Sequence, residues 1–307
     1  MLQDPKLSSM EAGLPGNMQC IICQNSSGKK ISDRVRDSQK HTVTECSRCY
    51  HVQLTPIPSE NDNEDFYNEG LQFKNIDEPT ELDLIRKNQK TDTIRRSKFV
   101  ANLLSNHSEI LDIGAGFGFF VEELRKQGFR PTGIEISAFA RTIARKVTHV
   151  ELLNIDILSS SFNRQFDALT LFHVLEHISK PIEFLIKLKS NLRGGGRLII
   201  EVPNLDDLMV TSNAAYRNFY WQRAHLSYFN TKTLKMVLKK AGFTQLKFYY
   251  YQRYGIDNFM NWMVTGKPQL SSPSFTTKSN YKWLEQYYKE YLIKSGKSDT
   301  LLAVTYA

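Results

Sequence analysis

The stretch LDIGAGFGF, residues 111–119, decides the fold of this chain. It consists of a short apolar run, a turn that contains Gly114, Gly116 and Gly118, and the beginning of a helical pattern. Glycines at such a turn let a ligand approach the backbone N–H groups at the start of a helix closely. The spacing G-x-G-x-G differs from the G-x-G-x-x-G of dinucleotide sites, and alone it is weak evidence for any particular ligand.

From residue 108 onward, patterns typical of strands alternate with patterns typical of helices. The predicted strands are residues 109–113, 131–135, 150–153, 166–171, 197–202, 246–251 and 300–306. The predicted helices are residues 121–126, 138–146, 181–192 and 231–241, preceded by a segment of helical spacing at 80–105. This alternation predicts an α/β fold in which helices cover both faces of a largely parallel sheet.

Three carboxylates follow successive predicted strands: Asp112, Glu135 and Asp156. In open parallel sheets, ligands bind outside these carboxyl ends. A carboxylate after the second strand suits ribose hydroxyls in any nucleotide site, but Asp112 directly precedes the glycines and would face a pyrophosphate unfavourably. It suits a ligand with an ammonium group and a sulfonium. The sequence therefore favours S-adenosylmethionine over NAD.

The four cysteines of the chain form two C-x2-C pairs, Cys20 with Cys23 and Cys46 with Cys49. Two such turns can supply the four thiolates of a closed tetrahedral zinc site, which is structural because no coordination position stays open. The other interpretations are unligated buried thiols or a redox pair. A reducing compartment disfavours disulfides between them.

Length and charge limit the remaining possibilities. The 307 residues allow one large and one small domain. The net charge is +8, and residues 230–297 hold twelve Lys or Arg against three Asp or Glu. This excess predicts either an anionic partner or a solvated helix face. Because no membrane-length apolar run and no signal-peptide pattern occur, we expect a cytoplasmic protein that does not insert into membranes.

Five segments together resemble the class I S-adenosylmethionine-dependent methyltransferases. They are LDIGAGFGFF (111–120), GIEIS (133–137), FDALTLFHVLEHI (166–178), LRGGGRLIIEVPN (192–204) and HLSYFNTKTLKMVLKKAGF (225–243). The resemblance implies a Rossmann-like seven-stranded sheet of order 3-2-1-4-5-7-6 with an antiparallel last strand. It divides the chain into a zinc-binding module (1–60), a linker and helical cap (61–105), and a methyltransferase domain (106–307) with a helical insertion (253–298).

The resemblance also implies the cofactor-binding residues. The turn would wrap the methionine end of S-adenosylmethionine through Gly114, Ala115, Gly116, Phe117, Gly118 and Phe119. Asp112 would lie near its amino group. Glu135 would bind the ribose, with Ile136 beside it, and Asp156 would bind the adenine amino group, with Ile157 beside it. Phe172 would lie next to the adenine ring.

With its cysteine pairs, the chain looks more narrowly like the zinc-knuckle methyltransferases of polysaccharide and natural-product sugar clusters. It lacks the large C-terminal domain of the sugar C-methyltransferases, which leaves O- or N-methylation more open. We therefore expect a small-molecule acceptor, a sugar or nucleotide-sugar. An RNA or protein methyltransferase, in which the module grips a polymer, and a non-catalytic cofactor-binding regulator are the alternatives. The oligomeric state stays open.

His225 is the preferred general base, because it follows the fifth strand and its unperturbed pKa of about 6.5 suits proton transfer. The alternative is a packing or capping histidine. His173 is a second candidate, expected to face the substrate. Glu176 and His177 are expected to be structural, with a bound divalent ion as the less favoured interpretation.

Overall fold

The computed structural model describes residues 18–59, 79–157, 162, 164–268 and 281–306, with the backbone alone for 79–83. Its strands are β1 Gly28–Ser32, β2 Thr42–Cys46, β3 Val52–Thr55, β4 Glu109–Ile113, β5 Arg130–Ile134, β6 Phe166–Phe172, β7 Leu192–Pro203, β8 Ser227–Tyr228, β9 Thr244–Tyr251 and β10 Thr300–Tyr306. Its helices are α1 Pro79–Ala101, α2 Phe119–Lys126, α3 Ala138–Val147, α4 Pro181–Ser190, α5 Leu208–Ser212, α6 Ala214–Tyr220, α7 Thr231–Lys240, α8 Ile256–Thr265 and α9 Lys282–Ser295.

The central sheet has six strands in the order β5-β4-β6-β7-β10-β9. Strands β5, β4, β6 and β7 are parallel, and β10 runs antiparallel to both of its neighbours. This is the predicted α/β arrangement 2-1-4-5-7-6 with its antiparallel last strand. The near-continuous apolar runs of β4, β6 and β7 form these central strands because side chains on both of their faces are buried.

The predicted third strand, residues 150–153, differs from expectation. Among the described residues it makes one parallel bridge, between Ile134 and Leu153, so the sheet has six strands rather than seven. His149, immediately before it, has a left-handed backbone with φ of 53°, which turns the chain there. The segment then pairs only where Leu153 meets β5, at the sheet edge where short strands are common.

A second, antiparallel sheet has the order β1-β2-β3-β8. Its first three strands come from the cysteine-bearing segment, while β8 comes from residue 227 onward and pairs with β3. One hydrophobic cluster joins the two parts and includes Leu54, Trp221 and Tyr228, which are all buried. The cysteine-bearing segment is therefore built into the domain rather than attached at its end.

Helix α1 covers the sheet with a face that includes the buried Val100. It corresponds to the predicted helical cap, whereas the predicted linker lies mostly outside the described residues. The predicted insertion contains α8 and α9. Within the described ranges, no helix is both long and apolar enough to cross a bilayer.

Candidate active site

The glycine turn lies between β4 and α2, as predicted. Gly114 has φ of 70°, and a side chain there would also meet Val174 at 2.6 Å. Gly116 has φ of 55°, and an added Cβ would have no atom within 4 Å. The first position needs glycine for conformation and for packing. The second needs it for conformation and faces open space, where a ligand can approach the backbone.

Asp112 is the penultimate residue of β4, and 3% of its surface is exposed. One of its oxygens accepts a hydrogen bond of 2.7 Å from the Thr170 hydroxyl. Burial raises the pKa of Asp112 to about 7, and the negative charge of Glu135 acts in the same direction, while Thr170 and Arg96 oppose it. A cationic group beside this carboxyl would favour its ionised form.

Glu135 connects the glycine turn to helix α3. Its two carboxylate oxygens accept hydrogen bonds from the backbone N–H groups of Gly116, at 2.9 Å, and Ser137, at 2.8 Å. The next residue, Ile136, leaves 49% of its surface exposed. Arg141 donates to the carbonyl oxygens of both Glu135 and Ile136 at 2.7 Å. A carboxylate and an exposed apolar side chain thus lie side by side at the end of β5.

The other predicted cofactor residues differ from one another in how far their side chains are exposed. Asp156 is exposed, Ile157 is buried, and Ala115 packs at the edge of a small apolar cluster. The Phe117 and Phe119 rings lie in the core, 6.2 Å apart, so these two residues can meet a cofactor only through their backbone.

Phe172 lies at the end of β6. Its ring packs edge-on against Phe120 at a centroid distance of 4.9 Å and beneath the Arg96 guanidinium at 5.0 Å. Phe172 is thus enclosed between α1 and α2.

Sequence reasoning missed a buried ionic cluster above the sheet. Glu201, in β7, has no exposed surface and accepts hydrogen bonds from Arg95 at 2.8 Å and Arg96 at 2.6 Å. Burial opposes ionisation of Glu201, but Arg96 and the other donors outweigh it and hold its pKa well below the usual range. The sequence feature that could have revealed this cluster is the glutamate within the apolar run LIIEV, because a charge in a buried strand requires partners.

His173 lies between two carboxylates. Its Nδ1 is 3.1 Å from a Glu176 oxygen, and its Nε2 is 3.3 Å from a Glu201 oxygen. Burial alone would lower the pKa of His173, but the hydrogen bonds to Glu176 and Glu201 outweigh it and raise the pKa. A raised pKa favours the charged imidazole, which cannot accept a proton, so the geometry favours a positioning role.

His225 lies against the turn that follows β6. Its ring is 5.0 Å from that of His177, and both lie near Glu176. Burial, followed by the charge of His177, lowers the pKa of His225 to about 3, so this imidazole is neutral at physiological pH. The neutral imidazole has one unprotonated ring nitrogen, but with a pKa of about 3 it is a weak base in the ligand-free protein.

The nearest ligand atoms of Glu176, His177 and His225 lie within 4.8 Å of one another. All three of these groups already have partners within the protein, Glu176 through its contact with His173. His177 Nδ1 is 2.7 Å from the Ala224 carbonyl oxygen, and the His225 ring is 2.9 Å from the Gln222 amide nitrogen. These contacts disfavour a bound divalent ion at the cluster.

The four cysteine sulfurs converge. Each of two close contacts joins one cysteine of the first C-x2-C pair to one cysteine of the second. The Cys20–Cys49 and Cys23–Cys46 sulfurs are each 3.5 Å apart, and all four lie within 4.8 Å of one another. For a tetrahedral zinc with Zn–S bonds of about 2.3 Å, the sulfurs lie roughly 3.8 Å apart. The cluster therefore has the dimensions of a four-thiolate zinc site.

A family model described as "Methyltransferase domain" matches residues 85–247, which is more than half of the chain. The chain belongs to this methyltransferase family. The matched range contains the glycine turn, Asp112, Glu135 and His225, and it begins within α1. The expectation of a methyltransferase is thus confirmed at the level of the family, and membership supports S-adenosylmethionine as the cofactor.

Two curated relatives and one solved structure show which other methyltransferases this chain is similar to. The mitochondrial ubiquinone biosynthesis O-methyltransferase of Schizosaccharomyces pombe is 30% identical over 100 residues, which is 30% of this chain and 36% of that protein. The tRNA U34 carboxymethyltransferase of Pseudoalteromonas translucida is 28% identical over 174 residues, 51% of this chain and 52% of that protein. The chain thus matches between about a third and about a half of the length of these relatives.

A solved S-adenosylmethionine-dependent methyltransferase from Archaeoglobus fulgidus has the same fold. It superposes with a TM-score of 0.51 at 17% identity, covering 73% of this chain and 98% of that one. The names of the two curated relatives refer to ubiquinone biosynthesis and to tRNA, so they do not favour a sugar acceptor.

Proposed function

We propose that this methyltransferase transfers a methyl group from S-adenosylmethionine to a hydroxyl or amino group of a small-molecule acceptor of the sugar or nucleotide-sugar class. The observation that carries the proposal is the position of the partly buried His225 ring, beside the turn that follows β6 and at the same edge of the sheet as the glycine turn and Asp112. His225 would take the proton that the acceptor loses as its oxygen or nitrogen attacks the methyl carbon.

The residues at the ends of β4 and β5 fit the cofactor. The buried Asp112 carboxyl lacks a full counter-charge and would ionise beside an ammonium group. The backbone at Gly116 is open to an approaching ligand. Glu135 offers carboxylate oxygens to a ribose diol, and the exposed Ile136 offers an apolar surface to a purine. When bound, S-adenosylmethionine supplies an electrophilic methyl group on a sulfonium.

Positioning of the acceptor against the methyl group would supply most of the rate enhancement. Aligned intramolecular reactions gain about 7–11 kcal/mol from orientation, whereas a general base contributes roughly 10²- to 10⁴-fold. Substitution of His225 should therefore lower turnover without removing it. His173, fixed between Glu176 and Glu201, would hold the turn after β6 in place rather than exchange protons.

Zinc is proposed for the four cysteines, Cys20, Cys23, Cys46 and Cys49. The two knuckles repeat the same local structure: the N–H of Gln24 donates to the Cys20 carbonyl oxygen, and the N–H of Tyr50 donates to that of Cys46, each at 2.9 Å. Gln24 and Tyr50 also both have left-handed φ angles, of 61° and 62°. Two equivalent turns that aim four thiols at one point are typical of a structural zinc site.

A basic cleft supports a phosphate-bearing acceptor. It has a volume of about 740 Å³, and its described lining includes Lys232, Lys235 and Lys297 together with the acidic Asp206. These lysines belong to the basic region predicted to meet an anion. The tRNA-related relative, matched over 174 residues, keeps RNA as a second candidate acceptor.

The test is incubation of the full chain with methyl-labelled S-adenosylmethionine and separate panels of nucleotide-sugars, polysaccharide fragments, phenolic quinone precursors and RNA. Label on a nucleotide-sugar or sugar fragment, reduced in the His225→Gln variant, is the expected result. Label only on RNA or only on the phenolic compounds would contradict the proposed acceptor class. Cofactor binding without label on any panel would favour the regulator alternative.

A further inference from the structure

The basic cleft lies at the same edge of the sheet as the candidate active site. Its lining includes Tyr250 of β9, Asp206 after β7 and residues 295–297 before β10. Thr300 of β10 pairs with Pro203, the last residue of β7, so the segment before β10 lies at the carboxyl end of β7. Neighbouring strands are about 4.8 Å apart, which puts β10 and β9 about 10–15 Å from β6. A ligand in the cleft can therefore extend along this edge toward the proposed cofactor site.

The charged side chains of the cleft favour an anion. Lys232, Lys235 and Lys297 are exposed in its lining, and within the described parts of the chain none of the three forms an ion pair. The acidic Asp206 also lies in this lining, where one of its oxygens accepts a hydrogen bond of 3.3 Å from the Asn230 amide. Three positive charges against one negative charge leave an excess of two, which matches the two negative charges of a diphosphate diester.

Two hydroxyl groups in the lining add a hydrogen-bond donor. The Thr231 and Tyr250 hydroxyl oxygens are 2.6 Å apart. Each hydroxyl carries one hydrogen, and the hydrogen bond between them uses one of the two. No residue that the structure describes accepts the second hydrogen, so it is available to a ligand oxygen. Ammonium groups and a hydroxyl hydrogen are donors that suit phosphate oxygens.

An aromatic residue of the second C-x2-C turn contacts one of these lysines. The Lys232 ammonium lies 4.4 Å from the centre of the Tyr50 ring, which leaves 53% of the Tyr50 surface exposed. Tyr50 has a left-handed φ of 62°, and Gln24 has the same conformation at the equivalent position of the first turn. The turn itself therefore does not require an aromatic side chain. The contact with Lys232 accounts for a tyrosine at this position, since an aromatic face attracts an ammonium group.

We propose that the basic cleft binds the diphosphate group of a nucleotide-sugar acceptor through Lys232, Lys235 and Lys297, and that Tyr50 is a positioning residue that holds the Lys232 ammonium at the cleft. This inference rests on the proposed function, which supplies a phosphate-bearing acceptor. A lysine already held against a ring loses less conformational freedom when an anion binds. The cysteine-bearing module would thus contribute to acceptor binding, because Tyr50 directly follows Cys49.

The test measures nucleotide binding and needs no methyl transfer. Calorimetry of the full chain at low ionic strength uses UDP, GDP and dTDP, each compared with its own nucleoside. The variants are Lys235→Gln, Lys297→Gln, Tyr50→Gln and Tyr50→Phe, and melting temperatures check that each is folded. Lys239→Gln is the matched control, because Lys239 is an exposed lysine farther along α7 and outside the lining of the cleft. Tyr50→Gln copies the residue that the first turn carries at the equivalent position.

At least one diphosphate should bind the wild type more tightly than its nucleoside does. Lys235→Gln and Lys297→Gln should each weaken this binding about 10-fold, as expected for the loss of a charge-assisted hydrogen bond, and Lys239→Gln should match the wild type. Tyr50→Gln should weaken binding about 2- to 5-fold, and Tyr50→Phe should restore it because the ring is kept.

No binding of any diphosphate, or equal affinity in both cleft-lysine variants and the wild type, would overturn the inference. Tight binding of an RNA oligonucleotide by a protein that binds none of the free diphosphates would overturn it as well. Wild-type affinity in Tyr50→Gln would refute the role of Tyr50. The labelling experiment reports separately on the proposed function: diphosphate binding that depends on these lysines, with no label on any nucleotide-sugar, would support the cleft and contradict that acceptor class.

Discussion

Replacement of Asp112 by asparagine should stabilise the ligand-free protein and weaken cofactor binding at the same time. Burial raises the pKa of Asp112 from 3.8 to about 7. The group therefore contributes most to stability below pH 3.8, and this contribution is lost as pH rises through about 7. A shift of about three units corresponds to at most about 4 kcal/mol at 1.36 kcal/mol per unit. Asparagine keeps the acceptor for Thr170 but cannot ionise.

Urea unfolding measures the first half of this prediction. The free energy of unfolding of Asp112→Asn, relative to the wild type, should increase from pH 4 to pH 7 and then level off. Thr170→Val is a matched control, because it removes the hydrogen bond to Asp112 without removing the carboxyl. A difference that does not depend on pH would refute the assigned burial effect.

Calorimetry measures the second half. At pH 6.5 a group with a pKa of about 7 is roughly three-quarters protonated, so S-adenosylmethionine should release most of one proton from the wild type as its ammonium group pairs with Asp112. The release is read from the buffer dependence of the binding enthalpy. In Asp112→Asn the release should disappear, and the affinity should fall about 10- to 100-fold for the loss of a charge-assisted hydrogen bond. Equal affinity and equal proton release in both proteins would refute the reasoning.

Three further predictions follow from the same contacts. Removal of the zinc proposed for the four cysteines, by a chelator, should lower the melting temperature and expose the Trp221 indole, read by fluorescence, because β8 pairs with the module; an unchanged spectrum would contradict the shared core. His173→Gln should destabilise the protein most below pH 6.5 and progressively less as pH rises through the raised pKa of His173, and a destabilisation independent of pH would exclude the carboxylate contacts as its cause. Gly116→Ala should reduce affinity for S-adenosylmethionine with only a small loss of stability, about 1 kcal/mol for a left-handed residue. Gly114→Ala should destabilise the fold as well, because its Cβ meets Val174.

Apolar periodicity and the glycine turn predicted the α/β sheet and five helices because these features are encoded locally, whereas the strand order was an expectation from the family resemblance. The predicted strand at 150–153 is reduced to a single bridge in the structure, and the left-handed turn at His149 directly before it is a feature that sequence periodicity does not report. Strand β8 was missed for the opposite reason: two residues have no recognisable pattern, and they pair only because β3 lies beside them.

The candidate site likewise contains residues that the sequence predicted and residues that it could not predict. Asp112, Glu135 and the glycines could be found from sequence because they follow strands whose carboxyl ends share one edge. The cluster of Glu201 with Arg95 and Arg96 could not be assembled from sequence, because Glu201 is over a hundred residues from the two arginines and meets them only when α1 covers β7. Likewise, nothing in the spacing of the cysteines places their module against His225.

The central claim is that carboxylates at the ends of β4 and β5 bind a positively charged methyl donor. Its most direct test is parallel titration calorimetry of the full chain with S-adenosylmethionine, its demethylated product S-adenosylhomocysteine, and NADH. We predict saturable one-to-one binding of the first two and no heat of binding for NADH. Binding of NADH with neither adenosyl compound bound would contradict the account.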